Sequence, residues 1–160
     1  MSVYFIGCLH LGHESIARMR GFSSSVSHDQ ELLAGINSVI SKRDKLFILG
    51  DIAMETSKHY YMLDEIKGVT QVVLGNHDRP RDVSKLLEHV SGVSGCVKYK
   101  GWMLSHIPIH PMEFSYRVSK NVHAHIHSQT IDDPRYCNVD AARLNFVPIS
   151  YDEIAKGSRI

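Results

Sequence analysis

The 160-residue sequence lacks the features of a membrane or secreted protein. No stretch approaches the roughly 20 consecutive apolar residues that a membrane-spanning helix requires. The first ten residues, MSVYFIGCLH, lack the basic segment of a secretory signal. The three cysteines, Cys8, Cys96 and Cys137, form no CxxC pair, and their odd number argues against a disulfide framework. We therefore expect a cytoplasmic protein with reduced thiols and no membrane partner.

The sequence also lacks an excess of charge of either sign. Lys and Arg together number 18 and Asp and Glu together number 17, for a formal net charge of +1. This balance does not predict the broad basic surface that binds long nucleic acid. Local clusters such as Arg18 with Arg20, or Arg79 with Arg81, remain compatible with a small anionic substrate.

Strand and helix patterns alternate through the first half of the chain. Three apolar runs, VYFIG, KLFIL and TQVVL, predict buried strands. An apolar stripe of helical period from Leu32 to Ile40 predicts a helix, and Ser27 and Gln30 have capping-box spacing at its start. Two further helices are predicted over about 57–66 and 83–89.

From Gly95 onward the sequence is rich in short β patterns, namely CVKYK, WMLSH, NVHAH, YCNVD and FVPIS. Ser150 and Glu153 then have capping-box spacing for a last short helix, YDEIAK. Alternating strands and helices followed by a β-rich half predict an α/β sandwich with mixed β-sheets flanked by helices. The length suits a single domain over residues 1–160.

Histidine is abundant, with eleven in the chain, and most of these residues follow predicted strands. The polar clusters GCLH, GD, GNHD, SH and HAHIH each come where a strand ends. Because the carboxyl ends of strands in open α/β sheets line one crevice, we expect these clusters to converge. Seven donors are too many for one tetrahedral ion and suit two ions that share a carboxylate. The candidate metal ligands are Cys8, His10, Asp51, Asn76, His106, His125 and His127.

These blocks, in this order, resemble the calcineurin-like metallophosphoesterases, whose pattern runs D-x-H, G-D, G-N-H-[DE], a later His and G-H-x-H. The likeness covers residues 8 to 127, and the tail NVDAARLNFVPISYDEI is similar to the end of small bacterial and phage members. The resemblance implies the α/β sandwich of that family, hydrolysis of phosphate esters and two divalent metal ions, with Mn, Fe and Zn all open.

The resemblance also implies a role for each matched residue. Asp51 would bridge both ions. The first site would be completed by Cys8, His10 and His127, and the second by Asn76, His106 and His125. His77 would lie beside the substrate as general acid or charge stabiliser, with Asp78 holding its ring. The candidate substrate contacts are His13, Asn76, His77 and Arg79.

The sequence departs from the family pattern at two positions. Ala124 replaces the glycine of the last block, and Cys8 replaces the aspartate of the first. A thiolate in that place favours zinc or iron over manganese or magnesium. Cys8 is two residues from His10, so on an extended backbone both side chains would point to the same face. Two interpretations stay open: Cys8 binds metal through its sulfur, or it is a small buried apolar residue that binds none.

The sequence therefore predicts a metal-dependent phosphoesterase. The leading hypothesis is a phosphodiesterase that hydrolyses a small nucleotide-like substrate by attack of a metal-bridging hydroxide. One alternative is a phosphomonoesterase of the same fold. The other is a catalytically weakened metal- or phosphate-binding protein, because Cys8 replaces the usual ligand. Whether this cysteine is natural or introduced is equally open.

Overall fold

A computed structural model describes residues 1–115 and 117–157 and shows an α/β fold with two mixed sheets flanked by helices. The strands of the first sheet are β1 (Val3–Ile6), β2 (Lys45–Leu49), β3 (Val69–Val73), β4 (Val93–Ser94) and β9 (Ile149–Ser150). Their order is β4-β3-β2-β1-β9. The first four are parallel, and β9 pairs antiparallel with β1.

The second sheet contains the short strands of the β-rich half. They are β5 (Val97–Tyr99), β6 (Trp102–Leu104), β7 (Lys120–His123) and β8 (Tyr136–Asn138), in the order β5-β6-β7-β8. β5 is antiparallel to β6, whereas β6, β7 and β8 are parallel. The predicted strand patterns are therefore confirmed, and each sheet sends the carboxyl ends of parallel strands to one edge.

The helices are α1 (Glu14–Met19), α2 (Ser25–Val39), α3 (Val83–Leu86) and α4 (Tyr151–Ala155). Three 3₁₀ helices cover Tyr60–Glu65, Pro80–Asp82 and Pro111–Glu113. The predicted capping box of Ser150 and Glu153 is confirmed at α4. Within the described part of the chain, none of the helices has the length and apolar character needed to cross a bilayer.

Four helical details differ from the sequence prediction. The helix predicted over 83–89 is shorter, because α3 covers only Val83–Leu86. α2 begins earlier, because Ser24 is its N-cap and exchanges hydrogen bonds with Ser27 in a reciprocal capping box. The helix predicted over 57–66 is a 3₁₀ helix, in which Tyr60 and Leu63 are buried at the three-residue spacing of that geometry. α1 was not predicted, since its N-cap is the imidazole of His13 rather than a typical capping residue.

The two sheets share one hydrophobic core. Phe5 on β1 stacks on Phe47 of β2 with ring centroids 5.9 Å apart, and it lies 6.3 Å from Trp102 of β6 in the other sheet. A Cβ at Gly7 would lie 2.5 Å from the Cβ of Ala124, so glycine is needed where the chain after β1 passes the chain after β7. This close approach brings the two sets of strand ends together.

Candidate metal centre

The loops that follow five strands meet at one place. Cys8 donates its backbone N–H to Gly50 O at 3.0 Å, which joins the loops after β1 and β2. The backbone N–H of His77, after β3, donates to Asp51 Oδ1 at 3.1 Å. His106, after β6, lies with its Nε2 3.1 Å from Nδ1 of His125, after β7. The predicted convergence of the strand-end clusters is thus present in the structure.

The first group of candidate ligands consists of Cys8, His10 and His127, whose donor atoms all lie within 4.8 Å of one another. His10 is only 2% exposed, yet neither of its ring nitrogens has a hydrogen-bond partner among the described residues. Its Nε2 is 4.0 Å from Asp51 Oδ2, beyond hydrogen-bond distance. Leaving a buried polar atom unpaired costs roughly 1–3 kcal/mol, and a metal ion would remove that cost.

The second group is centred on His106. Its Nε2 lies 3.0 Å from Asn76 Oδ1, 3.1 Å from His125 Nδ1 and 3.3 Å from Asp51 Oδ2. Its Nδ1 lies 2.8 Å from Leu49 O, where only an N–H can donate, so Nε2 is the nitrogen left for a proton or a metal ion. Four electron-pair donors therefore lie together, an arrangement that a cation among them stabilises.

The close packing of these groups shifts the pKa values of His106 and His10. Burial lowers the pKa of His106, but the Asp51 carboxylate outweighs it and raises the pKa above its ordinary value. Burial, assisted by the charge of Arg20, lowers the pKa of His10 to about 3, so its imidazole is neutral. A neutral imidazole has the lone pair that a metal ion requires.

Cys8 is fully buried, and its Sγ accepts a hydrogen bond from the backbone N–H of His125 at 3.3 Å. Burial, followed by the nearby carboxylates of Asp140 and Asp51, raises the pKa of this thiol far above its usual range. Without a cation the sulfur is therefore protonated. Cys8 also belongs to a second cluster with Asp51 and His106, whose donor atoms lie within 4.8 Å of one another.

Five of the candidate ligands have backbone φ in the left-handed region. The φ angles are 54° at Cys8, His10 and Asp51, 68° at His125 and 50° at His127. The expectation of an extended backbone across Cys8 and His10 was wrong, although their ligand atoms do meet. Such a conformation costs a residue other than glycine roughly 1–3 kcal/mol and is typical of functional sites.

Asp78 does not have the contact expected for it. Its Oδ2 accepts the backbone N–H groups of Asp51 and Gly75 at 2.8 Å each, and its Oδ1 accepts that of Ile52 at 2.9 Å. Asp78 therefore holds the loops after β2 and β3 rather than the ring of His77, because three backbone donors occupy its two oxygens. The Nδ1 of His77 instead faces Glu55 Oε1 at 3.7 Å.

The remaining predicted substrate contacts are divided between the centre and its surroundings. The ring centroids of His77 and His13 lie 6.4 Å and 6.5 Å from that of His10. The Nδ1 of His13 accepts the backbone N–H of Ile16 as the cap of α1. Arg79 is engaged elsewhere, since its NH2 lies 2.6 Å from Asp82 Oδ2.

The sequence interpretation missed two side chains that hold the ligands. Asp140 Oδ2 lies 2.9 Å from Nδ1 of His127, which leaves the Nε2 of that ring for a metal ion. Arg20 donates to the carbonyl oxygen of Cys8 at 2.8 Å and lies 3.6 Å from Asp140 Oδ1. Asp140 follows β8, so the strand-end rule could have found it. The sequence marked Arg20 as one of a basic pair with Arg18, which does not predict its contacts with Cys8 and Asp140.

Arg20 also joins the centre to the interior of α2. Its NH1 lies 3.0 Å from Nε2 of His28, and Nδ1 of that buried ring lies 2.8 Å from Asp29 Oδ1. The other carboxylate oxygen of Asp29 accepts the backbone N–H of Gly12 at 2.8 Å. We call these three side chains, Arg20, His28 and Asp29, the buried network.

Comparison with known proteins finds relatives without a described activity. No protein-family model matches the chain. It is 33% identical to the Gene 66 protein of Mycobacterium phage L5 in an alignment of 106 positions that covers 56% of the chain. It is also 33% identical to the Gene 66 protein of Mycobacterium phage D29 in an alignment of 95 positions that covers 53% of the chain. These matches cover 51% and 46% of the phage proteins, so the chain spans about half the length of these relatives.

Two further matches extend over nearly the whole chain. An uncharacterized protein of Methanocaldococcus jannaschii is 25% identical in an alignment of 169 positions, gaps included. The alignment covers 96% of this chain and 89% of the length of that protein. The crystal structure of a protein of unknown function from Aquifex aeolicus has a TM-score of 0.74 and 23% identity, covering 97% of this chain and 98% of its own. The structural likeness shows that the two proteins share a fold.

Proposed function

We propose that the protein is a metal-dependent phosphoesterase with the calcineurin-like metallophosphoesterase sandwich, and that its substrates are small nucleotide-like phosphodiesters. The observation that carries the proposal is the convergence of seven electron-pair donors from five strand ends, five of them on strained backbone. Strained backbone persists where function requires a fixed geometry. The buried, unpaired ring of His10 is a second observation that favours a metal ion.

The donor set suits two divalent ions. Cys8, His10 and His127 would hold one ion, Asn76, His106 and His125 the other, with Asp51 shared between them. When bound, two such ions supply Lewis-acid chemistry, since they polarise phosphate oxygens and lower the pKa of a water molecule. Imidazole, carboxylate and thiolate together favour zinc or iron, while manganese remains compatible with the oxygen and nitrogen donors.

His77 is the candidate proton donor. Its side chain is 32% exposed, which leaves it open to a bound substrate, and its backbone N–H is anchored on Asp51. Glu55 Oε1 lies 3.7 Å from its Nδ1. A protonated imidazole beside the ester would give its proton to the oxygen of the departing alcohol.

A second candidate function is a metal- or phosphate-binding protein with little turnover. It is favoured by one observation, the complete burial of Cys8, which is typical of a small apolar residue that binds no metal ion. In this case the first site would be weak and the second would bind one ion. A phosphomonoesterase of the same fold is the remaining alternative. Comparing the rates on a phosphodiester and a phosphomonoester distinguishes it from a phosphodiesterase.

The first test is hydrolysis of bis-p-nitrophenyl phosphate and p-nitrophenyl phosphate with manganese, zinc and iron(II), with bound metal counted by mass spectrometry. We expect turnover of the diester with two ions bound, and a loss of at least about 100-fold in kcat/KM for Asp51→Asn. Asp132→Asn, at an exposed position, is the matched control and should leave the rate unchanged.

Cys8→Asp extends the same test. Aspartate tolerates the left-handed conformation at residue 8 better than cysteine does, so we expect the variant to fold and to prefer manganese more than the parent protein. Activity only in Cys8→Asp would favour the binding-protein alternative for the present chain. No turnover above that of Asp51→Asn, with any of the three metals and either ester, would reject the phosphoesterase proposal.

A further inference from the structure

A groove of about 550 Å³ opens beside His127. Its apolar lining includes Ile16 and Met19 of α1 and Ile126, which precedes His127. Met19 is 82% exposed, so a flexible thioether lies at the mouth of the groove. A volume of this size lies within the range of small-molecule sites, and the groove adjoins a candidate metal ligand.

The lining also includes an arginine whose donors are not all used. Arg143 donates from NH1 to Ser128 O at 3.1 Å, and its buried Nε has no hydrogen-bond partner within 1–115 or 117–157. Arg20 also lines the groove, but its guanidinium is occupied by Cys8 O, His28 and Asp140. Arg143 is therefore the arginine of the groove with donor capacity for a ligand, and the exposed polar side chains of Ser128 and Gln129 line the same groove.

The charges of the residues that line the groove also indicate that Arg143 is available to a ligand. Asp140 is the carboxylate among the described lining residues, and it is paired with His127 and Arg20. The charge of Arg143 thus faces no carboxylate of the groove. A guanidinium in such a place binds hydrogen-bond acceptors and stacks on planar rings. The apolar side chains of Ile16, Met19 and Ile126 in the same groove suit the face of such a ring.

We propose that this groove binds the organic arm of the phosphate ester as a planar ring that accepts hydrogen bonds, of which a nucleobase is the common biological case. The inference rests on the proposed function, because it assumes that the phosphate lies at the metal centre next to His127. The ring packs against Ile16, Met19 and Ile126 and accepts a hydrogen bond from Arg143. Arg143 is then a specificity residue for the alcohol, distinct from the residues that handle the phosphate.

The test is ligand binding by the 160-residue protein loaded with zinc, followed by amide chemical shifts in NMR titrations. The probes are adenosine 5′-monophosphate, ribose 5-phosphate and inorganic phosphate. We expect adenosine 5′-monophosphate to bind at least about tenfold more tightly than ribose 5-phosphate or inorganic phosphate. Its binding should shift the amide resonances of α1 and residues 126–129. Arg143→Met should weaken its binding at least about tenfold, since a hydrogen bond to a charged donor is lost.

Arg43→Met is the matched control, because it removes an exposed arginine before β2, at the end of the sheet away from the strand-end loops. It should change the dissociation constant less than twofold. Met19→Glu, at an exposed helix position that does not endanger folding, should also weaken nucleotide binding. Equal affinity for the three probes would make the groove an anion site and overturn the inference, as would unchanged binding in Arg143→Met.

The experiments can reject the groove inference and the phosphoesterase proposal separately. If diesters are hydrolysed but Arg143→Met leaves KM for a nucleotide diester unchanged, the groove inference is wrong and the proposed function stands. If the nucleotide binds in an Arg143-dependent manner and no metal supports turnover, the proposed function is wrong. The groove is then supported as a nucleotide site without hydrolysis.

Discussion

At the scale of single residues, side-chain chemistry and backbone conformation oppose each other in the candidate metal centre. Cys8, His10 and Asp51 share a φ of 54°, a conformation that glycine adopts without strain. Glycine would have no side chain to offer as a ligand, so these positions keep a donor and retain the strain. The hydrogen bonds to Gly50, Asp51 and Asp78 stabilise that backbone from the neighbouring loops.

Asp44 is a residue whose contribution should depend on pH. Its Oδ1 accepts the backbone N–H of Ser2 at 2.6 Å, and its Oδ2 accepts the Ser41 hydroxyl at 2.6 Å. The Ser41 hydroxyl, with the backbone N–H groups of Ser2 and Ser41, lowers the pKa of Asp44 to about 2. Because a carboxyl in the unfolded chain titrates near pH 4, the folded state is favoured above that pH and loses this advantage towards pH 2.

We therefore expect Asp44→Asn to have a lower Tm than the parent protein at pH 6. The difference should shrink as the pH falls from about 4 to about 2 and should vanish below that range. Thermal melts followed by circular dichroism across pH 2–7 measure it. Glu31→Gln, which removes an exposed carboxylate on α2, is the control and should match the parent throughout. A difference that persists unchanged at pH 2 would contradict the assignment.

At the scale of elements, the buried network fixes α1 and α2 against the loop after β1. Arg20 follows α1, and His28 and Asp29 lie within α2, yet all three contact one another or the backbone of residues 8–12. The side chain of Arg20 is only 8% exposed. Removing its guanidinium would leave the charge of Asp140 without its buried counter-ion and the Cys8 carbonyl unpaired.

Arg20→Met should lower the free energy of unfolding by about 3 kcal/mol. Arg20→Lys keeps the charge but not the planar group, so its free energy of unfolding should lie between those of the parent protein and Arg20→Met. Arg18→Met, which removes an exposed ion pair with Glu14, should cost less than about 1 kcal/mol. Urea denaturation gives these values. An effect of Arg20→Met no larger than that of Arg18→Met would show that the buried network contributes little to stability.

Elements were predictable where the pattern is local. KLFIL is a continuous apolar run and forms β2, and Ser150 with Glu153 caps α4 as expected. The candidate ligands could also be found, because each follows a strand and parallel strands end at one edge. Arg143 and Arg20 could not, since their partners lie far along the chain or are backbone carbonyls, which leave no pattern in the sequence.

At the scale of the whole molecule, one core joins the two sheets, and this bears on the prediction of a single domain. Phe5 of the first sheet contacts Trp102 of the second, and Trp102 is the single tryptophan of the chain. We expect unfolding in urea to be one transition, with the same midpoint by Trp102 fluorescence and by far-UV circular dichroism.

Gly7→Ala tests that coupling. The added Cβ would lie 2.5 Å from the Cβ of Ala124 and 2.8 Å from Leu49 O, so we expect a loss of about 1–3 kcal/mol. The unfolding midpoints in urea measured by fluorescence and by circular dichroism should both fall to the same lower value, because the clash lies where the sheets meet. Gly95→Ala, with open space around the added Cβ, is the control. Two separate midpoints would mean that the sheets unfold independently.

The position of β1 has a consequence for how the protein is made. This first strand lies between β2 and β9, and the loop after it meets Val139 and Ala141 through backbone hydrogen bonds of Gly7. Asp140, which orients His127, lies in the same late segment. During translation, β1 and Cys8 therefore emerge long before the partners that complete their surroundings. The ligands would be held together, and a metal ion acquired, only after the ribosome has synthesised the segment through β9.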